Sequence, residues 1–518
     1  MRGNVLFVYI QMESYGLPIK ELGEGGYGKV THYRKEGKDY AIKTERVFEG
    51  IPSASFFQEN TLRSLDHPNV IKVIDSGIDE ASGNSWIIYP MAVGDLESHV
   101  EKNPEYLRSL FFQLVNGVAY LTSRGIIHVD IKPANILIFP NNILQIADFG
   151  LAKNIYCGAS FPNAVGTLWY SSPETLLSRL AAPSNDVWGV ACIIYEKWTG
   201  RVAFEGEDVE DQMTSIVSEL GLEIAQWPEV VNYKEWTSAY QRVGKRILLN
   251  RITNPLLKDL LSRMFVLNPK QRYNIYQVMQ HPFFANAITP VTLPPITIPS
   301  CVQLLSYREL PKAREYGINN VILFSWLTET AIDRRVNINT LTLALVLCNY
   351  FLDTNSPPPG DMQGYAIVAL MMATIYKEDT PISFYSAERV TNNMYPETRL
   401  ETFFNNMAKF YNYNLYYSTP QDYLIQELKV TESGERINRN TNINSIVSLF
   451  LSINKSYSCS DNIKITRSIV NVLKGNSKQL ITEDIRKVMG VIVNNAKHYG
   501  PHLNKEFASF LDSLRPYI

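Results

Sequence analysis

The chain has 518 residues, enough for two or three domains rather than one. Hydrophobic content is 45% and charged content 19%, as in ordinary globular proteins, and the formal net charge of −2 gives no bulk electrostatic reason to expect nucleic acid or membrane as a partner. The five cysteines, Cys157, Cys192, Cys301, Cys348 and Cys459, are scattered, odd in number and free of any C-x-x-C pair, so reduced thiols of a soluble intracellular protein are expected; nucleus and cytoplasm are not distinguished.

In chain order, the apolar run Val5 to Ile10 is too short for a signal segment or a membrane span. Residues 1–14 read as an N-terminal extension, with Met12 a candidate start. Residues 20–90 read as short strands with one helix: "YAIKTERV" and "SWIIYP" are β-rich, and "SFFQENTLRSL" has helical spacing. Residues 105–285 read as mostly helical, with "LRSLFFQLVNGVAYLTSRG" ending at a C-terminal Gly125. Pro290, Pro294, Pro295 and Pro299 then mark a Pro-rich linker over 286–302. Beyond it the pattern is helical to the end.

Five short stretches and two later residues carry the chemistry. "LGEGGYGKV" places Gly23, Gly25, Gly28 and Val30 in a G-x-G-x-x-G-x-V pattern, which brings a hairpin backbone close to phosphates. "AIK" follows, with Ala41 and Lys43. Next come "HVDIKPAN" with Asp130, Lys132 and Asn135, and "DFG" with Asp148. "SPE" ends at Glu174, and Asp186 and Arg272 come later. In this order they resemble the protein kinases over 15–285, which implies a bilobal α+β kinase fold. The resemblance implies ATP and Mg²⁺ as cofactors and protein substrates as partners. Asp130 and Lys132 are the implied catalytic residues, and Asn135 and Asp148 the implied metal ligands. Gly23, Gly25, Gly28, Val30, Ala41, Lys43, Met91 and Ala92 are the implied ATP contacts. Tyr89 falls at the gatekeeper, beside the Met91–Ala92 hinge.

"EGIPSASFFQENTLRSLDHPNVIKVID" and "GTLWYSSPE" resemble cyclin-dependent kinases, whose helix reads P-S-T-A-I-R-E and whose segment reads T-L-W-Y-R-A-P-E. Tyr27 then sits where those enzymes take an inhibitory phosphate. Counted back from "HPN", the helix Glu that pairs with the strand lysine falls on Gln58, the Arg on Phe57 and the Ile on Phe56; Glu59 is one step on, about 100° around the helix. Residues 303–425 resemble a cyclin box, an all-α domain. Residues 426–518 form a further helical region and are a candidate second cyclin-like fold. The cyclin Lys and Glu that grip the kinase helix fall on Ile375 and Phe404, so an apolar internal kinase–cyclin interface involving Phe56 is expected.

Departures from the family pattern concern regulation. The Arg expected before Asp130 is Val129, the third Arg of the phosphate receptor is Lys153, and the phosphorylated Thr falls on Pro162. Receptor and phosphosite are missing together, so activation without loop phosphorylation is expected. The sequence therefore reads as a cyclin-dependent-kinase-like Ser/Thr kinase joined to its own activator. The alternative is a weak or inactive pseudokinase–cyclin scaffold, whose main support is Gln58 at the glutamate position.

Overall fold

A computed structural model describes residues 15–417 apart from 26–27, 47–51, 80–83, 155–166, 179–180, 223, 234, 242–247, 297–322, 324–325, 329, 332, 379 and 416. Several expectations lie outside the described residues: those on the N-terminal extension, on Tyr27, Pro162 and the loop around it, on the end of the linker, and on 426–518. The described residues fall into two units, the first ending before residue 300 and the second following it.

The first unit opens with an antiparallel sheet in the order β1-β2-β3-β5-β4. Its strands are β1 (Lys20–Gly25), β2 (Gly28–Lys35), β3 (Lys38–Glu45), β4 (Asp75–Ile78) and β5 (Ser85–Pro90). The two segments read as β-rich are β3 and β5, paired from Tyr40↔Pro90 to Glu45↔Ser85. Alternation along β3 sends Ile42 into a core with Trp86 and Ile88, while Lys43 and Glu45, two residues apart, share a face. The predicted helix splits in two. Helix α1 (Ala54–Glu59) is capped by Ser53, whose hydroxyl accepts the Phe56 N–H, and it tightens at once into a 3₁₀ turn, Asn60–Ser64.

The rest of the first unit is mainly helical. Helix α2 (Pro104–Ser123) starts where Asn103 accepts the Glu105 and Tyr106 N–H groups and Pro104 needs no donor partner. It ends before Gly125, which takes φ +71°. One face of α2 buries Leu107, Leu110, Phe111, Leu114, Val118 and Leu121. Strands β6 (Gly94–Asp95), β8 (Ile136–Phe139) and β9 (Ile143–Ile146) form a small sheet, and β7 (Ile126–Ile127) pairs with β10 (Lys153–Asn154). Then follow α3 (Pro173–Ser178), α4 (Pro183–Thr199), α5 (Val209–Leu220), α6 (Pro255–Met264) and α7 (Ile275–Met279).

A buried ion pair ties this region together. Arg272 meets Glu174 with both fork nitrogens, at 2.6 and 2.9 Å. Its guanidinium also donates to the carbonyls of Val266, Ser184 and Leu267 and lies 4.9 Å from the Trp188 ring centre. All the polar atoms are satisfied, so the pair is held rather than strained.

In the second unit, α8 (Ile338–Asn355), α9 (Met362–Lys377), α10 (Phe384–Val390) and α11 (Glu397–Phe410) pack around α9. Residues Gly364 to Ile375 of α9 are all buried, as befits a helix apolar on every side. Among the described residues no helix is long and apolar enough to cross a membrane.

Removing one partner of the Arg272–Glu174 pair strands the other charge in the core. Arg272→Ala is expected to cost the first unit about 3–5 kcal/mol, read as a drop in its urea midpoint at unchanged slope. A loss below about 1 kcal/mol, the range of exposed pairs, would contradict the burial argument.

Candidate active site

The site is assembled from four elements of the first unit. The hairpin β1–β2 brings Gly25 opposite Gly28. Gly28 has φ +144°, and a Cβ there would lie 2.3 Å from the Thr44 carbonyl oxygen, so only glycine lets the hairpin close over β3. Val30 pairs with Lys43 across β2–β3, and Ala41 pairs with Tyr89 across β3–β5. Met91 and Ala92 leave the end of β5 and are half-buried. They also border an open groove with His32, Tyr40, Ile74 and Pro140; since none of Val30, Lys43 or Asp148 borders it, this groove is not the nucleotide cleft.

Lys43 is buried, and three carboxylates surround its ammonium. Glu59 Oε1 is at 3.0 Å, Asp148 Oδ1 at 3.2 Å and Glu45 Oε1 at 3.3 Å. Burial works against the Lys43 charge, but Glu59, Asp148 and Glu45 outweigh it and hold its pKa above the ordinary value. Burial pushes Glu59 up to about 7 against the pull of Lys43, and the Asp148 charge adds to the push. For Asp148 burial is also opposed by Lys43, by a hydrogen bond with Glu59 and by the field of His128, and these hold it below the usual carboxylate range. The far oxygen of Glu59 accepts a hydrogen bond from the Tyr89 hydroxyl at 2.9 Å, an anchor that sequence reading missed. A tyrosine paired with Ala41, one residue along β3 from Ile42, was its only signal.

This geometry corrects the expectation at Gln58. The partner of Lys43 is Glu59; Gln58 is buried, and its side-chain oxygen has no hydrogen-bond partner among the described residues. The physical reason lies in the 3₁₀ turn over Asn60–Ser64. Counting back from "HPN" assumes one constant helical pitch, whereas a 3₁₀ turn has about 3.0 residues instead of 3.6. Anchored on Glu59, the family's phosphate-binding Arg falls on Gln58 rather than Phe57, and its Ile on Phe57 rather than Phe56. That Arg is absent under either count. The scaffold reading loses its main support, because a carboxylate does face the lysine.

The loop Ile127–Asn135 presents the other functional groups. Asp130 Oδ2 accepts from Lys132 Nζ at 2.8 Å and Asn135 Nδ2 at 2.9 Å, and Oδ1 accepts from the Thr167 N–H at 3.2 Å. With its amide nitrogen committed to Asp130, Asn135 has its oxygen left as the outward donor atom. Val129 sits at φ +75°, which costs a β-branched residue on the order of 1–3 kcal/mol. The buried Asp186 fixes that backbone by accepting the His128 and Val129 N–H groups, each at 2.8 Å. His128 in turn meets the Ala147 carbonyl at 2.9 Å and the edge of Phe149, aligning this loop with the Asp148 segment.

The donor set fits a hard divalent cation. An ionised Asp148 and the oxygen of Asn135 are oxygen ligands of the kind Mg²⁺ takes in small number, leaving its other positions to phosphate and water. The three carboxylates around one ammonium also leave local negative charge that such a cation would offset. Among the proposed interface residues, Phe56 and Phe57 are buried and meet edge to face at 5.4 Å. Ile375 and Phe404 are buried as well, and Phe404 packs edge-on against Phe384 of its own unit at 5.7 Å.

Comparison with known proteins agrees with this geometry. The protein kinase domain family matches residues 18–284, and the cyclin N-terminal domain family matches residues 314–416. A similar curated protein is the cell division control protein 2 homolog 3 of Trypanosoma brucei brucei, 32% identical over 286 residues, covering 52% of this chain and 91% of that one. The chain therefore belongs to the protein kinase family, with a CDC2-like kinase domain followed by a cyclin N-terminal domain in one polypeptide.

Proposed function

We propose that the chain is an ATP- and Mg²⁺-dependent Ser/Thr kinase, activated in cis by its cyclin-like half and without phosphorylation of its activation segment. The observation that carries the reading is the Lys43–Glu59 contact at 3.0 Å together with an Asp130 carboxylate oriented by three donors. Asn135 and Asp148 would hold Mg²⁺, which would supply positive charge against the phosphate groups. Lys43 orients the α- and β-phosphates. Asp130 is placed to accept the proton of an incoming hydroxyl, and Lys132 sits beside it against the transferred group. The glycine hairpin closes over the phosphates with backbone N–H groups.

Activation in cis is supported by the covalent link itself. The linker over 286–302 spans about 50 Å at roughly 3.1 Å per residue in an extended form. Tethering at a short flexible linker gives an effective concentration in the mM range, so a weak grip suffices. Independence from loop phosphorylation is supported by Val129, by Gln58 at the helix Arg position and by Lys153. None of them supplies the bidentate fork that a phosphate selects.

Three measurements test these points. Asp148→Asn and Asp130→Asn should each lower phosphate transfer from labelled ATP to a generic acceptor protein by at least a hundredfold, the lower end of the range of about 10²–10⁴ for a positioned acid–base group. Unchanged transfer by the Asp148 variant contradicts the metal assignment. Cutting a protease site inserted in the linker and separating the fragments should lower the activity of the kinase fragment at least tenfold, and recombining them should restore it. Full activity of the separated fragment removes the cyclin-like half as activator. Protein made in bacteria and shown by mass spectrometry to be unphosphorylated should be active, and Ser160→Ala, which removes the hydroxyl two residues before Pro162 that could substitute for the missing phosphosite, should stay within twofold of it. Activity that appears only after another kinase modifies the loop overturns that part of the reading.

A further inference from the structure

We propose that Glu45 is a positioning residue of the phosphotransfer site: its buried carboxylate clamps the start of α1 to β3 and so holds Glu59 against Lys43. The proposal rests on the kinase reading above. Glu45 is only 2% exposed, although it carries a carboxylate at the end of a strand. One oxygen accepts the Ser55 hydroxyl at 2.9 Å, and the other accepts the Ser53 hydroxyl. Ser53 is also the N-cap of α1, accepting the Phe56 N–H at 3.1 Å, so the strand carboxylate grips the residue that starts the helix.

The spacing makes this a two-point attachment. Lys43 and Glu45 lie on one face of β3, about 6.6 Å apart along the strand at two residues of rise. Ser55 and Glu59 lie on one face of α1, about 6 Å apart at four residues of rise. The strand pair meets the helix pair: Glu45 takes Ser55, and Lys43 takes Glu59. One contact alone would leave the helix free to turn about it. Two contacts a helical turn apart fix both its rotation and its position along the strand. They also favour Glu59 over Gln58: Glu59 is about 40° around the helix from Ser55, Gln58 about 60° to the other side, so the two differ by about 100° and only Glu59 meets Lys43.

Ser55 also borders the metal-binding segment. A Cβ on Gly150 would sit 2.6 Å from Ser55 Oγ, so Gly150 lies directly against that serine. A helix that swung away from β3 would lose the Glu45 bonds, the Lys43–Glu59 contact and the Gly150 contact together. The clamp is thereby connected to the placement of Asp148.

The test uses the full-length chain. Glu45→Leu should lower kcat at least tenfold with KM for ATP within threefold, and should speed amide hydrogen exchange over residues 57–60 at least tenfold. In a Ser53→Ala/Ser55→Ala background, the same Glu45→Leu change should alter kcat less than threefold further, because the two hydroxyls it grips on α1 are already gone and only its ion pair with Lys43 on its own strand remains. Glu45→Gln keeps the volume and one acceptor oxygen, and should give an intermediate loss; it replaces Glu45→Leu in every comparison if that variant does not fold. A kcat within twofold of wild type with unchanged exchange overturns the proposal. So does an undiminished effect in the serine-free background. If the wild-type chain transfers no phosphate, the kinase reading fails, and the exchange measurement still decides the role of Glu45.

Discussion

The arrangement of the site depends on one buried positive charge. Lys43 has almost no water to solvate it, so its ammonium must be solvated by the protein. Three carboxylates supply this, one from its own strand, one from α1 and one from the segment that follows β9. Each of those elements is placed, in part, by where its carboxylate must go. A neutral residue at 43 would leave those carboxylates repelling one another in a poorly solvated space. The pKa directions express the same balance. The lysine stays charged and Asp148 stays ionised, while Glu59, the most buried of the set, carries the excess.

A second constraint explains how the loop around Asp130 tolerates Val129. The backbone there is strained by its positive φ, the more so because Val129 is β-branched. What holds it is the Asp186 carboxylate through two main-chain N–H groups. With Val129 in place of the family's arginine, the Asp130 carboxylate still accepts from Lys132, from Asn135 and from the Thr167 N–H.

Much of this was legible in the residues. Strand pairing through β3 and β5 follows from β-rich runs of the right length, and α2 follows from periodicity with Gly125 just beyond its end. The kinase motifs were legible because phosphoryl transfer fixes both residue types and spacing. Gln58 was misplaced because a change of helical pitch leaves no mark in a residue count. Glu45 was passed over, and Tyr89 was placed at the gatekeeper without its bond to Glu59, for a related reason. Their partners are 8 to 30 residues away in sequence, and nothing in the local pattern says that a strand carboxylate or a tyrosine hydroxyl will be buried against α1.

Buried polar contacts of this kind have a particular value next to a catalytic lysine. Apolar packing of Phe56 and Phe57 stabilises α1, but dispersion contacts are non-directional. Hydrogen bonds to a carboxylate are not, since geometry off by an ångström leaves a buried group unsatisfied at about 1–3 kcal/mol. The two kinds of contact therefore divide the work on this short helix. Its aromatic residues keep it in the fold, and Ser53, Ser55 and Glu59 set the angle at which it faces β3. A six-residue helix has too few internal hydrogen bonds to fix its own orientation. The polar attachment to Glu45 and Lys43 supplies what its length cannot.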